Sequence, residues 1–179
     1  YLLVKLNQKM SNKFSIVIPT YENSDYLKLC INSILKNSTF SHQIIVHING
    51  YDVNTEKILL EKKITYTKSI ENIGLCSGVN IASRKASTNY ILYAHDDMYF
   101  LPNWDSILYE EVKKINHKNF YLSMTHISHM SGVKGDIQHI KYDCGSNINE
   151  FDENKLLKNF KNFEFRNLQG SHWAPHLIH

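Results

Sequence analysis

The first half of the chain alternates between short apolar runs and segments with helical periodicity, and this alternation constrains the fold more than any other feature. Residues 14–19 and 43–49 are β-branched apolar runs, and shorter runs at 64–67 and 90–95 repeat the pattern. Helical segments separate them, the first starting at Ser24, which is predicted to cap it. This order predicts an α/β fold with a mostly parallel, doubly wound central sheet.

Three further helices are predicted in this half, at about 53–63, at 78–86 and at 104–115 with Asn103 as its cap. The strands lack polar alternation, which is typical of a sheet with helices on both faces. In such sheets ligands bind beyond the carboxyl ends of the strands. The residues that follow the strands are therefore the candidates for a functional site.

Beyond residue 116 the pattern is weaker. Residues 119–128 are predicted as another strand and residues 152–163 as an amphipathic helix, with a glycine-containing loop between them that is suited to lining a binding site. The chain finishes on an apolar, strand-like run.

The length and composition limit the classes of function. A chain of 179 residues with 42% hydrophobic residues suits one domain with a sizeable core. The net charge of +3 is spread along the sequence without a basic block, so no nucleic-acid surface is indicated. The three cysteines are widely spaced and form no CxxC pair, which argues against a disulfide framework or structural zinc site and indicates a reducing compartment, the cytoplasm.

Polar residues follow three of the predicted strands and should face one edge of the sheet. They are Pro19, Thr20, Tyr21 and Glu22 after the first strand, Asn49 and Gly50 after the second, and His95, Asp96 and Asp97 after the fourth.

The adjacent carboxylates of Asp96 and Asp97 have two interpretations. They can be ordinary turn residues, although a turn needs only one carboxylate. Two neighbouring carboxylates repel each other, so the pair is better explained if a cation lies between it and an anionic ligand. Mg²⁺ and Mn²⁺ prefer such oxygen ligands and commonly bridge protein carboxylates to a diphosphate.

A family resemblance is carried by three stretches in order along the chain: FSIVIPTYENSDYLKLCINSILKNSTF, QIIVHING and ENIGLCSGVNIASRKASTNYILYAHDD. Together they resemble the nucleotide-sugar-binding half of family 2 glycosyltransferases, which have the Rossmann-like GT-A fold. The resemblance implies an N-terminal extension at 1–13, a nucleotide-sugar-binding core at 14–115 and an acceptor-side segment at 116–179. Because the family's enzymes generally run longer, we expect the chain to be a fragment.

The resemblance implies a nucleotide site at the ends of the first two strands. In this family the proline and aromatic residue after the first strand lie against the base, which implies that role for Pro19, Thr20 and Tyr21. An acidic residue after the second strand usually bonds the base, and Asn49 matches that position.

The resemblance also implies a metal and sugar site. The family's aspartates after the fourth strand hold a divalent metal on the diphosphate, which implies that role chiefly for Asp97, with Asp96 in support. Asn72, Gly74 and Asn80 match the family's NxG motif and the asparagine that follows it, near the sugar nucleotide.

The chain departs from the family at several positions. Glu22 replaces the usual asparagine and is either a solvated turn residue or a ligand contact. Ile48 and Asn49 replace an acidic pair, although an asparagine amide can still bond uracil. His95 replaces an aspartate, and it can support the metal ligands, contact the sugar or base, or simply end the strand.

The resemblance implies an inverting reaction, whose base should be an acidic residue in a later segment after a glycine-rich loop. No such pattern is clear. Asp136, Asp143 and the cluster from Glu150 to Glu153 are weak candidates, for which a loop or helix-cap role is the simpler explanation.

The end of the chain contains three histidines, at positions 172, 176 and 179. His172 or His176 can complete a metal site with Asp97, since some GT-A enzymes add a late histidine. A role as polar loop residues is the simpler interpretation.

The resemblance implies an enzyme that transfers a sugar from a nucleotide-diphosphate sugar to a glycan or lipid-linked acceptor with Mn²⁺ or Mg²⁺. A UDP-sugar is favoured as donor, with GDP- and dTDP-sugars as alternatives. Two other classes remain: a non-catalytic nucleotide-sugar or carbohydrate-binding domain, and a sugar-phosphate nucleotidyltransferase, which would normally show a glycine-rich loop after the first strand. We expect a cytoplasmic role in polysaccharide biosynthesis; no basic amphipathic stretch supports docking at the inner face of the membrane.

Overall fold

A computed structural model describes residues 12–129, 139–163 and 174–179. The strands are β1 (Ser15–Thr20), β2 (Gln43–Asn49), β3 (Thr65–Ser69), β4 (Ile91–Tyr93), β5 (Tyr121–Ser123), β6 (His126–Ser128), β7 (His139–Lys141) and β8 (His176–Ile178). The helices are α1 (Ser24–Asn37), α2 (Val53–Glu61), α3 (Leu75–Ser83), α4 (Trp104–Lys114) and α5 (Glu153–Asn159), followed by a 3₁₀ turn at Phe160–Asn162. Among these helices, none has the length and apolar character that a membrane span requires.

The main sheet has six strands in the order β3-β2-β1-β4-β8-β5. The first four are parallel, and β8 runs antiparallel to both β4 and β5. The mostly parallel sheet predicted from the sequence is therefore confirmed, and the apolar run at the end of the chain is one of its strands.

The predicted strand at 119–128 is wrong in one respect, because it is two short strands in different sheets. β5 pairs with β8, and the last bond on this side is donated by the amide of Met124 to the carbonyl of Pro175 (3.3 Å). The chain then leaves the main sheet, and β6 pairs with β7 in a separate parallel ribbon.

Helices cover both faces of the sheet, as predicted. Ile16 and Ile18 of β1 point into the larger core, together with Leu27 of α1, Leu59 of α2 and Leu108 of α4. Since successive side chains of a strand point to opposite faces, the intervening residues of β1 and β2 pack on the other side, against α3.

α3 lies unusually close to the sheet. A Cβ atom on Gly78 would lie 2.7 Å from Cδ2 of the His47 ring, which is fully buried and within hydrogen-bond distance of Thr67 Oγ1 (2.8 Å). Only glycine allows this approach without moving the ring. The same approach places the start of α3 beside the end of β2.

Three predicted helix starts need correction. α1 begins at Ser24 itself, with Asn23 in the cap position and no side-chain capping bond. Asn103 does precede α4, but its backbone is left-handed (φ 64°) and its side chain caps nothing. α3 begins at Leu75 rather than 78, because Gly74, with φ 82°, turns the chain earlier.

A buried polar cluster lies before the start of β2, at the end of the sheet opposite the strand ends that carry the predicted site. The carboxylate of Asp105 is fully buried and accepts hydrogen bonds from the amides of Thr39 (2.9 Å) and Phe40 (2.6 Å). Nε2 of His42 lies 3.0 Å from the same carboxylate, and its ring stacks on Phe14. Since Nε2 must carry the proton to bond a carboxylate, Nδ1 is the bare nitrogen, and it is buried without a partner among the described residues.

This cluster predicts that stability falls in acid. Burial lowers the pKa of His42 below its ordinary value of 6.5, and the bond to Asp105 offsets this only in part. The unfolded chain therefore binds a proton near and below pH 6.5 that the folded chain resists, so the free energy of unfolding falls as the pH drops, by at most about 1.4 kcal/mol per pH unit for one proton. Burial also lowers the pKa of His47, which adds to the effect.

Urea unfolding of the wild type and of His42→Phe, from about pH 7.5 to about pH 5, measures this dependence. The phenyl ring keeps the stacking on Phe14 but cannot be protonated, so we expect a shallower slope in the variant, with the His47 contribution remaining. Equal slopes in the two proteins would contradict the prediction.

Candidate functional site

The chain order of the main sheet reverses between β1 and β4, and the predicted site residues meet at this point. Such switch points form a crevice at the carboxyl ends of the strands. Oγ1 of Thr20, the last residue of β1, donates a hydrogen bond of 2.6 Å to Oδ2 of Asp96, just beyond β4. Two residues 76 positions apart are thus in direct contact at this edge.

The two aspartates have different surroundings. Asp96 is half-buried, and burial raises its pKa while hydrogen bonds from Thr20 and Asn23 work against that rise. Asp97 is exposed and accepts no hydrogen bond from any described residue. Asp96 is therefore fixed to the end of β1, whereas Asp97 is free to bind a ligand.

His95 lies against Tyr93 of β4. Nε2 of His95 is 2.7 Å from the hydroxyl of Tyr93, and the two rings are 5.2 Å apart. The amide of His95 points to Sδ of Met98 (3.5 Å), which shapes the turn that presents Asp97. The contact with Tyr93 fixes the imidazole in the residue that directly precedes the two aspartates, and the three roles predicted for His95 stay predictions.

The residues after β1 form an open platform. Pro19 is buried in the strand, whereas the Tyr21 side chain is 49% exposed. A Cβ atom on Gly50 would lie 3.4 Å from the Tyr21 ring, so the ring lies directly over the turn after β2. Glu22 is exposed in the left-handed region (φ 49°), a strained conformation that is frequent at ligand-binding sites.

The turn before α3 is bonded to the end of β2. Asn49 accepts a hydrogen bond from the amide of Ile73 (2.8 Å) and donates one to Oδ1 of Asn72 (2.9 Å). Oδ1 of Asn72 also accepts from the amide of Gly74 (2.9 Å). Asn80 lies on the exposed side of α3 and has no described hydrogen bond to this group.

A cavity of about 580 Å³ lies beside Asp97. Its lining includes Asp97 and His95, Tyr26 from α1, and residues of the segments at 124–129 and 142–151. Three hydrogen bonds attach the second segment, and α5 just after it, to the core. The amide of Ile148 donates to the Tyr26 hydroxyl (3.1 Å), and Glu153 accepts from Lys36 (2.9 Å) as well as from Tyr99.

The carboxylates of the later segment accept hydrogen bonds from described residues. Asp143 accepts from the amide of Gly145 (2.9 Å), Glu150 from Ser146, and Asp152 caps α5. Glu153 bonds the Tyr99 hydroxyl (2.5 Å), and burial together with this bond raises the pKa of Tyr99 to about 12. Asp143 and Glu150 thus bond within their own loop, Asp152 caps a helix, and Glu153 bonds Lys36 and Tyr99. A role as the base stays a prediction for each of them.

Three further candidates for the metal site or the base lie beyond residue 130. Asp136 and His172 lie outside the described residues. His176 lies in β8 with its ring 4.5 Å from that of Tyr121. Among the described residues no group of three or more histidine, cysteine, aspartate or glutamate side chains is placed to hold a metal ion.

Sequence reasoning missed three tyrosines that bond residues near the predicted site. Tyr26, Tyr93 and Tyr99 respectively bond the 142–151 segment, His95 and Glu153. The contact between Tyr93 and His95 could have been predicted, because residues two positions apart in an extended chain point to the same side. The partners of Tyr26 and Tyr99 are more than 50 residues away, and no local pattern predicts them.

The comparisons with known proteins agree with this geometry. The model of the family described as glycosyl transferase family 2 matches residues 15–174, most of the chain. An uncharacterized glycosyltransferase of Rickettsia conorii is 32% identical in an alignment of 122 residues that covers 58% of this chain and 20% of that protein. The glycosyltransferase GlyA of Streptococcus pneumoniae is 23% identical over 58% of this chain and 15% of its own length. The chain thus spans a fifth or less of these two relatives.

Solved structures with the same fold include TarS of S. aureus, residues 1–349, in complex with UDP. It has a TM-score of 0.59 and 20% identity, over 68% of this chain and 38% of TarS 1–349. The mannosyltransferase PcManGT of Pyrobaculum calidifontis, in complex with GDP-Man and Mn²⁺, has a TM-score of 0.55 and 14% identity, over 63% of this chain and 35% of its own. From its fold and the extent of the family match, this chain is a member of glycosyl transferase family 2 with a GT-A fold.

Proposed function

We propose that this chain binds a nucleotide-diphosphate sugar and forms the donor-binding part of a glycosyltransferase that transfers the sugar to a glycan or lipid-linked acceptor. One observation carries the proposal. At the switch point of the sheet, Asp96 is fixed by Thr20, while Asp97 is exposed and lines the cavity. A donor on the platform and an acceptor in the cavity would meet at this carboxylate.

The donor would lie over the ends of β1 and β2. Tyr21 offers an exposed aromatic ring for the base, beside a turn in which Gly50 leaves room. A UDP-sugar is the favoured donor, with GDP- and dTDP-sugars as alternatives. The structures of TarS with UDP and UDP-GlcNAc and of PcManGT with GDP-Man support a nucleotide sugar as the ligand class.

The described residues are suited to a divalent metal ion that would take most of its ligands from the phosphates of the donor. Mg²⁺ and related ions are often bound by one or two carboxylates plus substrate phosphates, and Asp97 with Asp96 provides such a set of oxygens. A bound Mn²⁺ or Mg²⁺ would stabilise the negative charge that develops on the departing diphosphate. Asp97 would hold the ion, and the bond from Thr20 would keep Asp96 oriented beside it.

The cavity is the proposed acceptor site. Its volume lies within the usual range of about 300–1,000 Å³ for small-molecule pockets. An inverting transfer needs a base on the face of the sugar opposite the diphosphate. The described carboxylates of the later segment are all bonded within their own loops or to α1, so we assign the base to none of them.

Because no base is assigned among the described carboxylates, a second candidate function is a domain that binds the donor but relies on other parts of the protein for transfer. The role in polysaccharide biosynthesis and the cytoplasmic location remain proposals, the latter supported by three cysteines that are all free.

Calorimetric titration of UDP and of GDP, each with Mn²⁺ and with EDTA, tests the proposal. We expect one nucleotide to bind in Mn²⁺ and to bind much more weakly in EDTA. Absence of binding by both nucleotides in Mn²⁺ would refute the donor site. Transfer of sugar from the matching nucleotide sugar to water or to an added glycan then separates an active transferase from a binding domain.

A further inference from the structure

Asn49 is a buried amide whose hydrogen bonds have fixed directions. Only 5% of the residue is exposed, at the end of β2. A backbone amide can only donate, so the bond from Ile73 (2.8 Å) identifies the atom it reaches as the oxygen of Asn49. The nitrogen of the Asn49 amide must then face Asn72, as the second bond requires.

The orientation of Asn72 is fixed in the same way. Its Oδ1 accepts from the amide of Gly74 and from Nδ2 of Asn49, both at 2.9 Å. Its Nδ2 therefore points away from these two donors, and it has no hydrogen-bond partner among the described residues. Asn72 is exposed, so this amide group is available to a ligand.

The turn that carries Asn72 borders the proposed donor platform. A Cβ atom on Gly50 would lie 3.8 Å from the backbone nitrogen of Asn72 and 3.4 Å from the ring of Tyr21. A nucleotide lying on Tyr21 would thus come close to the free amide of Asn72. Asn49, by contrast, offers almost no surface to a ligand.

We propose that Asn49 is a positioning residue that aims Nδ2 of Asn72 at an oxygen of the bound nucleotide, and that it does not contact the base itself. This inference rests on the proposed function. An amide at position 49 fits this arrangement, because it can accept from Ile73 and donate to Asn72 at the same time. A carboxylate there would accept from Ile73 but would place its second oxygen against Oδ1 of Asn72.

A double-mutant cycle measured by titration with UDP and with GDP in Mn²⁺ tests the inference. Asn72→Ala should weaken binding about 10-fold, the usual effect of losing a hydrogen bond to a charged or strongly polar ligand. Asn49→Ala should weaken it several-fold, and the double variant should bind no worse than Asn72→Ala, because Asn49 acts only through Asn72. Asn49→Asp should lose about as much affinity as Asn49→Ala.

Gln43→Ala is the matched control. Gln43 is also an amide on β2, and its oxygen also accepts a bond from a loop amide, that of Ser87 (2.8 Å). It lies at the other end of the strand, about 20 Å away at 3.3 Å per residue. We expect this variant to lose stability while its nucleotide affinity stays at the wild-type level. A parallel loss of affinity in Gln43→Ala would show that general destabilisation, not positioning, explains the Asn49 result.

The remaining outcomes separate this inference from the proposed function. If the wild type binds neither nucleotide, the proposed function fails and this inference fails with it. If the wild type binds, but the losses of the two single variants multiply in the double variant, Asn49 contacts the ligand independently and only this inference is overturned.

Discussion

Asp97→Ala is expected to lower the affinity for UDP or GDP in Mn²⁺ by about 100-fold or more, while the folded structure is retained. Even residues that only orient metal ligands typically contribute 10- to 100-fold, so removal of a ligand should have at least the larger of these effects. Asp97 is exposed and accepts no described hydrogen bond, so its side chain adds little to the stability of the fold. In EDTA the variant and the wild type should bind equally weakly.

Asp25→Ala provides the control for this prediction. Asp25 is another exposed carboxylate at the same edge of the sheet, in the first turn of α1. Its removal changes the net charge by the same amount but should leave the metal-dependent part of the affinity unchanged. If Asp97→Ala bound nucleotide in Mn²⁺ as tightly as Asp25→Ala, Asp97 would not be a metal ligand.

The parts of the fold that follow from local patterns could be predicted from the sequence. The continuous apolar runs of β1 and β2 indicate strands that are buried on both faces. The spacing of apolar side chains in α1 indicates which face of the helix packs against the core. β8 could be predicted as a strand from its apolar run. Its place between β4 and β5 could not, because antiparallel pairing with a strand 85 residues earlier depends on contacts between distant segments.

The site divides in the same way. The rule that ligands bind at strand ends placed Thr20 and Asp96 at one edge, and the structure brings them into contact. The rule does not predict which way a side chain at this edge points or how deeply it is buried. Asn49 sits at the predicted edge, yet its amide faces the neighbouring turn, a fact that depends on where the amide of Ile73 lies in space.

The buried carboxylate of Asp105 carries the largest stability prediction. Burial alone would raise its pKa, but the hydrogen bonds from Thr39, Phe40 and His42 together outweigh that effect and lower it. The carboxylate is therefore charged in the folded state, and it also accepts from the amide of Ser106 in its own helix (2.9 Å). The first three bonds join the loop before β2 to the first turn of α4, which are more than 60 residues apart.

Asp105→Ala is expected to lower the free energy of unfolding by about 3–5 kcal/mol, the usual cost of removing one partner from a buried charged network. The variant would leave the backbone amides of Thr39 and Phe40 and the Nε2 hydrogen of His42 buried without their acceptor. Urea unfolding near neutral pH measures the change, with Glu110→Ala as control, because Glu110 on the same helix forms only an exposed pair with Lys113. A loss below about 1 kcal/mol would mean that water reaches the three donors, since solvated groups lose little when a partner is removed. Such a result would also weaken the account of the His42 pKa, because both depend on this cluster being dry.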